Sequence, residues 1–159
     1  LYVLGGKADL ACLETKSGKI VWQKNLLKDF EGRQQKIWGY SESPLVDGDL
    51  VICVPGGGKG SILALKKSTG EQVWRSSDIT DDAAYSSLVP AEIAGVKQYI
   101  TLTSNGAVSV DAKTGKKLWS DRLGANNIAV IPTPIVWGNY VFVTSNYPEG
   151  TAGLLKITK

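Results

Sequence analysis

Apolar residues along this chain come in short runs, often alternating with polar ones, and each run is cut off by glycine, proline or aspartate. Period-two alternation bounded by turn residues predicts β-strands. Between residues 43 and 76 the runs SPLV, LVICVP, SILALKK and EQVWRS follow one another, separated by turns at Asp47-Gly48, Gly56 to Gly60 and Ser68 to Gly70. Four strands joined by tight turns make an antiparallel meander. Helices are disfavoured, because glycines interrupt every apolar stretch that would need more than two turns.

The meander recurs. CLETKSGKIVW ends at Trp22, ALKKSTGEQVW at Trp74 and SVDAKTGKKLW at Trp119, 52 and 45 residues apart. What persists is an apolar second residue, a Ser/Thr close to a Gly, and a Trp four places after that Gly; the lysines of the third copy are not kept. A second element appears as SPLVDGDLVICV from Ser43, SSLVPAEIAGVKQYITLT from Ser86 and TPIVWGNYVFVTS from Thr133. Four short strands per unit of 40 to 50 residues are the pattern of a β-propeller blade. The fold class is therefore expected to be all-β, one partial propeller over 1–159 with blade pieces at about 1–26, 38–78, 81–123 and 126–159. That is about three and a half four-stranded blades. The longer first spacing comes from LLKDFEGRQQKI, Leu26 to Ile37, expected as a surface loop or short helical turn. The Ser/Thr-Gly pair suits a reversal that needs positive φ, and the Trp on the outermost strand is placed to cover the next blade.

Composition narrows the function classes. There is no histidine, which removes Ser/His/Asp and Cys/His catalysis and most zinc sites. Eighteen basic residues are interspersed with fifteen acidic ones for a net charge of +3, without the dense basic stripe of a nucleic-acid binder. No apolar run reaches the roughly 20 residues of a membrane-spanning helix. The chain lacks methionine and starts on strand-like sequence, so a processed or truncated piece is expected. Cys12 and Cys53 sit in separate apolar runs and read as two buried thiols.

The three Gly-x-x-x-Trp copies, with the SPLV, SSLV and TPIV strands before them, resemble the repeats of quinoprotein-like propellers, the PQQ-like repeat family. The stretches WGYSESPLVDGDLVICVPGG and NIAVIPTPIVWGNYVFVTS are most similar to bacterial members known only as PQQ-like propellers. The resemblance implies a closed ring of seven or eight blades, of which this chain supplies part, leaving two apolar blade faces to be covered by its own further blades or by another subunit. It implies blade docking through Gly18 and Trp22, Gly70 and Trp74, and Gly115 and Trp119. The family holds both calcium-dependent pyrroloquinoline-quinone dehydrogenases and cofactor-free propellers of outer-membrane assembly. The expectation is a non-catalytic protein-binding or scaffolding module, periplasmic or at the cell surface, without cofactor. The alternative is part of a quinone-dependent alcohol or sugar dehydrogenase with calcium, for which Glu42 is the candidate metal ligand.

Chemistry-bearing residues are few. The lead-ins to the first strands should ring the mouth of the propeller channel, which nominates Tyr40, Ser41, Glu42, Tyr85, Ser86, Asn126 and Asn127 as ligand-binding. GGGKGS at 56–61 and TGK at 114–116 lack the order and following helix of a phosphate loop and read as hairpins. Asp78, Asp81 and Asp82 lack a calcium-loop spacing and, with Asp29 and Glu31, read as loop carboxylates.

Overall fold

In a computed structural model, which describes residues 1–147 and 151–158, the chain forms four antiparallel meanders of three, four, four and three strands and, among the described residues, no helix. Blade 1 holds β1 (Tyr2–Leu4), β2 (Asp9–Leu13) and β3 (Ile20–Asn25). Blade 2 holds β4 (Leu45–Asp47), β5 (Leu50–Cys53), β6 (Leu63–Lys66) and β7 (Gln72–Arg75). Blade 3 holds β8 (Val89–Ile93), β9 (Val96–Thr103), β10 (Gly106–Asp111) and β11 (Lys117–Asp121), and blade 4 holds β12 (Ile135–Trp137), β13 (Tyr140–Ser145) and β14 (Thr151–Lys156). The fold is that of a β-propeller, with the first blade lacking its innermost strand and the fourth its outermost.

The ladder register gives the blades a common frame. One row of paired residues crosses each sheet and ends on the repeat tryptophan: Tyr2, Cys12 and Trp22 in blade 1; Leu45, Ile52, Ala64 and Trp74 in blade 2; Val89, Ile100, Ser109 and Trp119 in blade 3. In blade 4 the same row is Ile135, Phe142 and Leu154. Immediately after this row the ladder slips by one residue in each blade that has the tryptophan strand, at Cys12/Leu13, Ala64/Leu65 and Ser109/Val110. The extra residue is Val21, Val73 or Leu118, apolar yet exposed, because a bulge turns its side chain away from the packed face.

Blades dock through this row. Trp22 and Trp74 are buried, and each indole covers the turn glycine of the following blade: a Cβ on Gly70 would stand 2.8 Å from Trp22, and one on Gly115 would collide with Trp74. The Trp22 Nε1 donates to the Lys67 carbonyl at 3.0 Å, while Trp119 Nε1 donates to Gln98 Oε1 at 2.9 Å within its own blade. Gly18 has nothing within 4 Å of an added Cβ. At the two outer faces the frame positions that are buried between blades lie open. Ile135 and Leu154 are exposed where Leu45 and Val89 are half-buried and Ala64 and Ser109 fully buried, and Leu1 and Val3 where Val51 and Cys53 are fully buried.

The segment from Leu26 to Ile37, expected as a surface loop or short helical turn, is a largely exposed loop of turns and bends that is tied down to the blades. Leu26 is fully buried; Gln34 forms a parallel bridge to Ala83 of the blade-3 lead-in; Arg33 N–H donates to the Pro55 carbonyl at 2.9 Å. Arg75 ties the segment to blade 2, donating to the Phe30 carbonyl (2.6 Å) and to the carbonyls of Gly60 (2.8 Å) and Gly56 (3.3 Å) in the loop between β5 and β6. Unpaired backbone groups in a connection crossing three blades would otherwise be costly. Cys12 and Cys53 are free and buried.

Candidate site at the strand lead-ins

The sequence nominated the lead-ins by their polar residues, and the register reassigns which of them correspond. Leu45, Val89 and Ile135 share one frame position, so four residues upstream Ser41, Tyr85 and Ile131 are equivalents, and Glu42, Ser86 and Pro132 are the next set. Successive lead-ins are stitched together: Tyr85 N–H donates to the Val130 carbonyl at 2.9 Å, Ser41 Oγ to the Tyr85 carbonyl at 3.4 Å, Ser43 N–H to Ser87 Oγ at 2.9 Å and Ser87 N–H to Thr133 Oγ1 at 3.4 Å. Their side chains therefore point in step, one set inward and one set outward.

The outward set opens onto a cavity of about 580 Å³ lined by Trp38, Ser41, Tyr85, Ile128, Ala129, Ile131 and Tyr147. Trp38, 64% exposed, leans on the Tyr85 ring at 6.1 Å between centroids. Ile131 is 51% exposed. Beside it the same two chain segments, one step earlier, line a polar groove of about 350 Å³ with Gln35, Lys36, Asp82, Arg122, Asn126 and Asn127. The site thus has an aromatic, apolar half and a polar half. Gln35 divides them, its carboxamide donating to the Asn126 carbonyl and accepting from Val130 N–H at 3.3 Å.

The inward set is closed off. Glu42 is 4% exposed; its Oε1 accepts the Val54 N–H at 2.7 Å, and its Oε2 is buried without a partner. Burial pushes its carboxyl up to about 8, with the Val54 hydrogen bond acting in the opposite direction. Ser86 and Tyr40 are also buried, and Tyr40 donates its hydroxyl to the Pro55 carbonyl at 2.7 Å. Of the seven nominated residues, Ser41 and Tyr85 meet in the aromatic cavity, Asn126 and Asn127 in the polar groove, and Tyr40, Glu42 and Ser86 lie in the interior. Trp38 and Ile131 were missed, because polarity was used as the marker of the mouth and both are apolar. The signal available was the repeat itself, which puts Ile131 at the place of Ser41.

A quinone and calcium centre needs an open anionic ligand. Glu42, enclosed and with Oε1 committed to the Val54 N–H, does not fit that role, and among the described residues no group of three Cys, Asp or Glu converges as a metal cage. The Asp78, Asp81 and Asp82 carboxylates diverge: Asp78 accepts from Lys117 N–H at 2.8 Å, Asp81 from Thr103 Oγ1 at 2.7 Å and Asn105 Nδ2 at 2.6 Å, and Asp82 pairs with Arg33. Four amides of the glycine-rich 56–61 loop are engaged, Gly56 on Ser61 and Gly60 on Gly57 within the loop, and Gly57 on Asp81 and Ser61 on Ile79 outside it, so they do not converge on a free anion site. At 113–114 both amides go to Asp111 Oδ1.

Comparison with known proteins agrees with this architecture. The family model described as outer membrane protein assembly factor BamB matches residues 1–156, and the chain belongs to this PQQ-like repeat family. BamB from Moraxella catarrhalis superposes with a TM-score of 0.68 at 20% identity, over 98% of this chain and 42% of that one. The computationally designed Ika4 protein gives 0.66 at 11% identity, over 99% and 84%, and the quinohemoprotein alcohol dehydrogenase ADHIIG from Pseudomonas putida HK5 gives 0.64 at 14%, over 94% and 27%. At these identities the likeness is one of fold. The chain spans less than half the length of the BamB chain it matches. No curated protein sequence matches it. Among the described residues no helix is long and apolar enough to cross a membrane.

Proposed function

We propose that this chain is the docking part of a non-catalytic β-propeller scaffold in the cell envelope, periplasmic or at the cell surface, and that it binds protein through the rim formed by its strand lead-ins. The observation that carries this reading is the open aromatic cavity between Trp38, Tyr85 and Ile131. An exposed tryptophan beside an exposed isoleucine and a half-buried tyrosine is the composition of an interface hot spot, and Ser41, Tyr85 and Ile131 reach the cavity from equivalent positions of three lead-ins that are hydrogen-bonded to one another. Membership in a family described as an assembly factor supports the same direction.

The alternative, a portion of a quinone-dependent dehydrogenase, needs ligands from outside this stretch, since Glu42 is enclosed. Both readings are separated by one experiment. A photoreactive residue replacing Trp38 in the native host should cross-link to a partner protein, while the same residue at Lys113, exposed in the β10–β11 turn at the opposite end of the strands, should not. Quinone-dependent alcohol oxidation by the protein loaded with pyrroloquinoline quinone and calcium, with no Trp38-specific cross-link, would reverse the conclusion.

A further inference from the structure

The rim carries a charge as well as an apolar surface. Of the charged residues lining the polar groove, Asp82 is engaged by Arg33. Lys36 and Arg122 are exposed, and neither forms an ion pair among the described residues. Asn127 is exposed and its carboxamide makes no hydrogen bond among the described residues. The groove therefore presents two unneutralised cations and a free amide. It adjoins the cavity along two continuous segments, 35–38 and 126–131, with Lys36 two residues from Trp38 and Asn127 four from Ile131.

Resting on the reading of the rim as a protein-binding surface, we propose that its occupant is an extended acidic and aromatic segment of a partner protein. An aromatic or large aliphatic side chain fills the cavity between Trp38, Tyr85 and Ile131. Carboxylates next to it in sequence pair with Lys36 and Arg122, and the Asn127 carboxamide is free to bond the segment's backbone. Charge complementarity sets the sign: a basic segment would meet two like charges at the groove, which costs more than an exposed pair gains. A segment suits the site better than a folded domain, because the apolar and polar halves follow one another along a shallow path, with Gln35 between them.

The test uses anisotropy of fluorescein-labelled hexapeptides with the whole chain. The probes are Gly-Glu-Phe-Asp-Ile-Glu, the same peptide with lysine for each acidic residue, and the same peptide with alanine for Phe and Ile. The acidic aromatic peptide should bind at least about tenfold tighter than either control. A Lys36→Glu/Arg122→Glu variant should invert the preference between the acidic and basic peptides, an outcome that misfolding cannot mimic. Trp38→Ala should weaken both. Equal binding of acidic and basic peptides, no inversion in the double variant, Trp38-dependent self-association in the ultracentrifuge, or displacement of the peptide by pyrroloquinoline quinone would each overturn the proposal. A partner cross-linked at position 38 that binds without regard to Lys36 and Arg122 overturns the acidic segment while leaving the protein-binding reading intact.

Discussion

The turn glycine Gly70 lies directly against the Trp22 indole, with no room for a Cβ between them. Gly115 has the same relation to Trp74, whereas Gly18, at the same φ of about 72°, faces open space. All three demand a left-handed backbone, which costs alanine about 1–2 kcal/mol. Only two of them also hold an indole in contact, where overpacking adds about 1–3 kcal/mol. Gly70→Ala and Gly115→Ala should therefore lose about 2–5 kcal/mol in urea unfolding and Gly18→Ala about 1–2 kcal/mol. Equal losses at the three sites would mean that blade docking does not depend on this contact.

The two buried tryptophans differ in one atom. Trp22 Nε1 has the Lys67 carbonyl at 3.0 Å, while Trp74 Nε1 is buried with no partner. Truncation to alanine should cost about 3–5 kcal/mol at either. Replacement by phenylalanine separates them: Trp22→Phe loses a hydrogen bond worth about 1 kcal/mol as well as ring area, and Trp74→Phe loses area but relieves an unsatisfied N–H. The Trp22→Phe variant should be the less stable by about 1–2 kcal/mol, read from chemical denaturation of both.

Strand number and blade rhythm were legible because they repeat, and repetition cancels what is accidental in any one copy. The Ser/Thr-Gly turn and its Trp stood out against changing lysines for that reason. What escaped the sequence were one-residue effects. SSLV from Ser86 looks like the counterpart of SPLV, yet the ladder makes Ser87 the equivalent of Ser43, because the Pro90 register is set by pairing with Tyr99. The bulge at Val21, Val73 and Leu118 is also invisible, since an exposed valine and a buried one are the same letter. At the rim polarity does not track exposure: Glu42 is interior, and Trp38 and Ile131 are open. The long-range pairing of Gln34 and Gln35 with blades 3 and 4 had no local signal.

Glu42 gives the protein a pH dependence of definite sign. Its carboxyl is raised by burial from 4.5 to about 8. A raised acid favours the folded state in its protonated form, so its contribution is complete below about pH 4.5 and declines through the window up to about 8, then levels off. The slope is at most about 1.4 kcal/mol per pH unit. Glu42→Gln keeps an acceptor for the Val54 N–H and cannot ionise. The variant should gain stability relative to the unaltered protein steadily between about pH 5 and pH 8, in urea midpoints taken at each. A difference that stays constant across that window would show that the carboxyl ionises freely.

Gln35 reaches from the connection after blade 1 to the lead-in of blade 4, where its carboxamide bonds the Asn126 carbonyl and the Val130 N–H, the latter at 3.3 Å. These are contacts between parts of the chain about ninety residues apart, and no strand ladder backs them up at Val130. Gln35→Ala removes both partners at once, leaving a buried N–H at Val130 that water must reach, so the cost of roughly 1–3 kcal/mol should fall on the local opening of 126–131. Global unfolding, which is governed by the blade interfaces, should move less. Hydrogen exchange distinguishes the two: the Val130 amide should lose protection about tenfold or more in the variant, while the amides of Ile100 and Val108 in the core of blade 3 keep theirs. Uniform loss of protection across all three would mean that this connection is part of the global unfolding unit, and the rim would then not be a separately tunable surface.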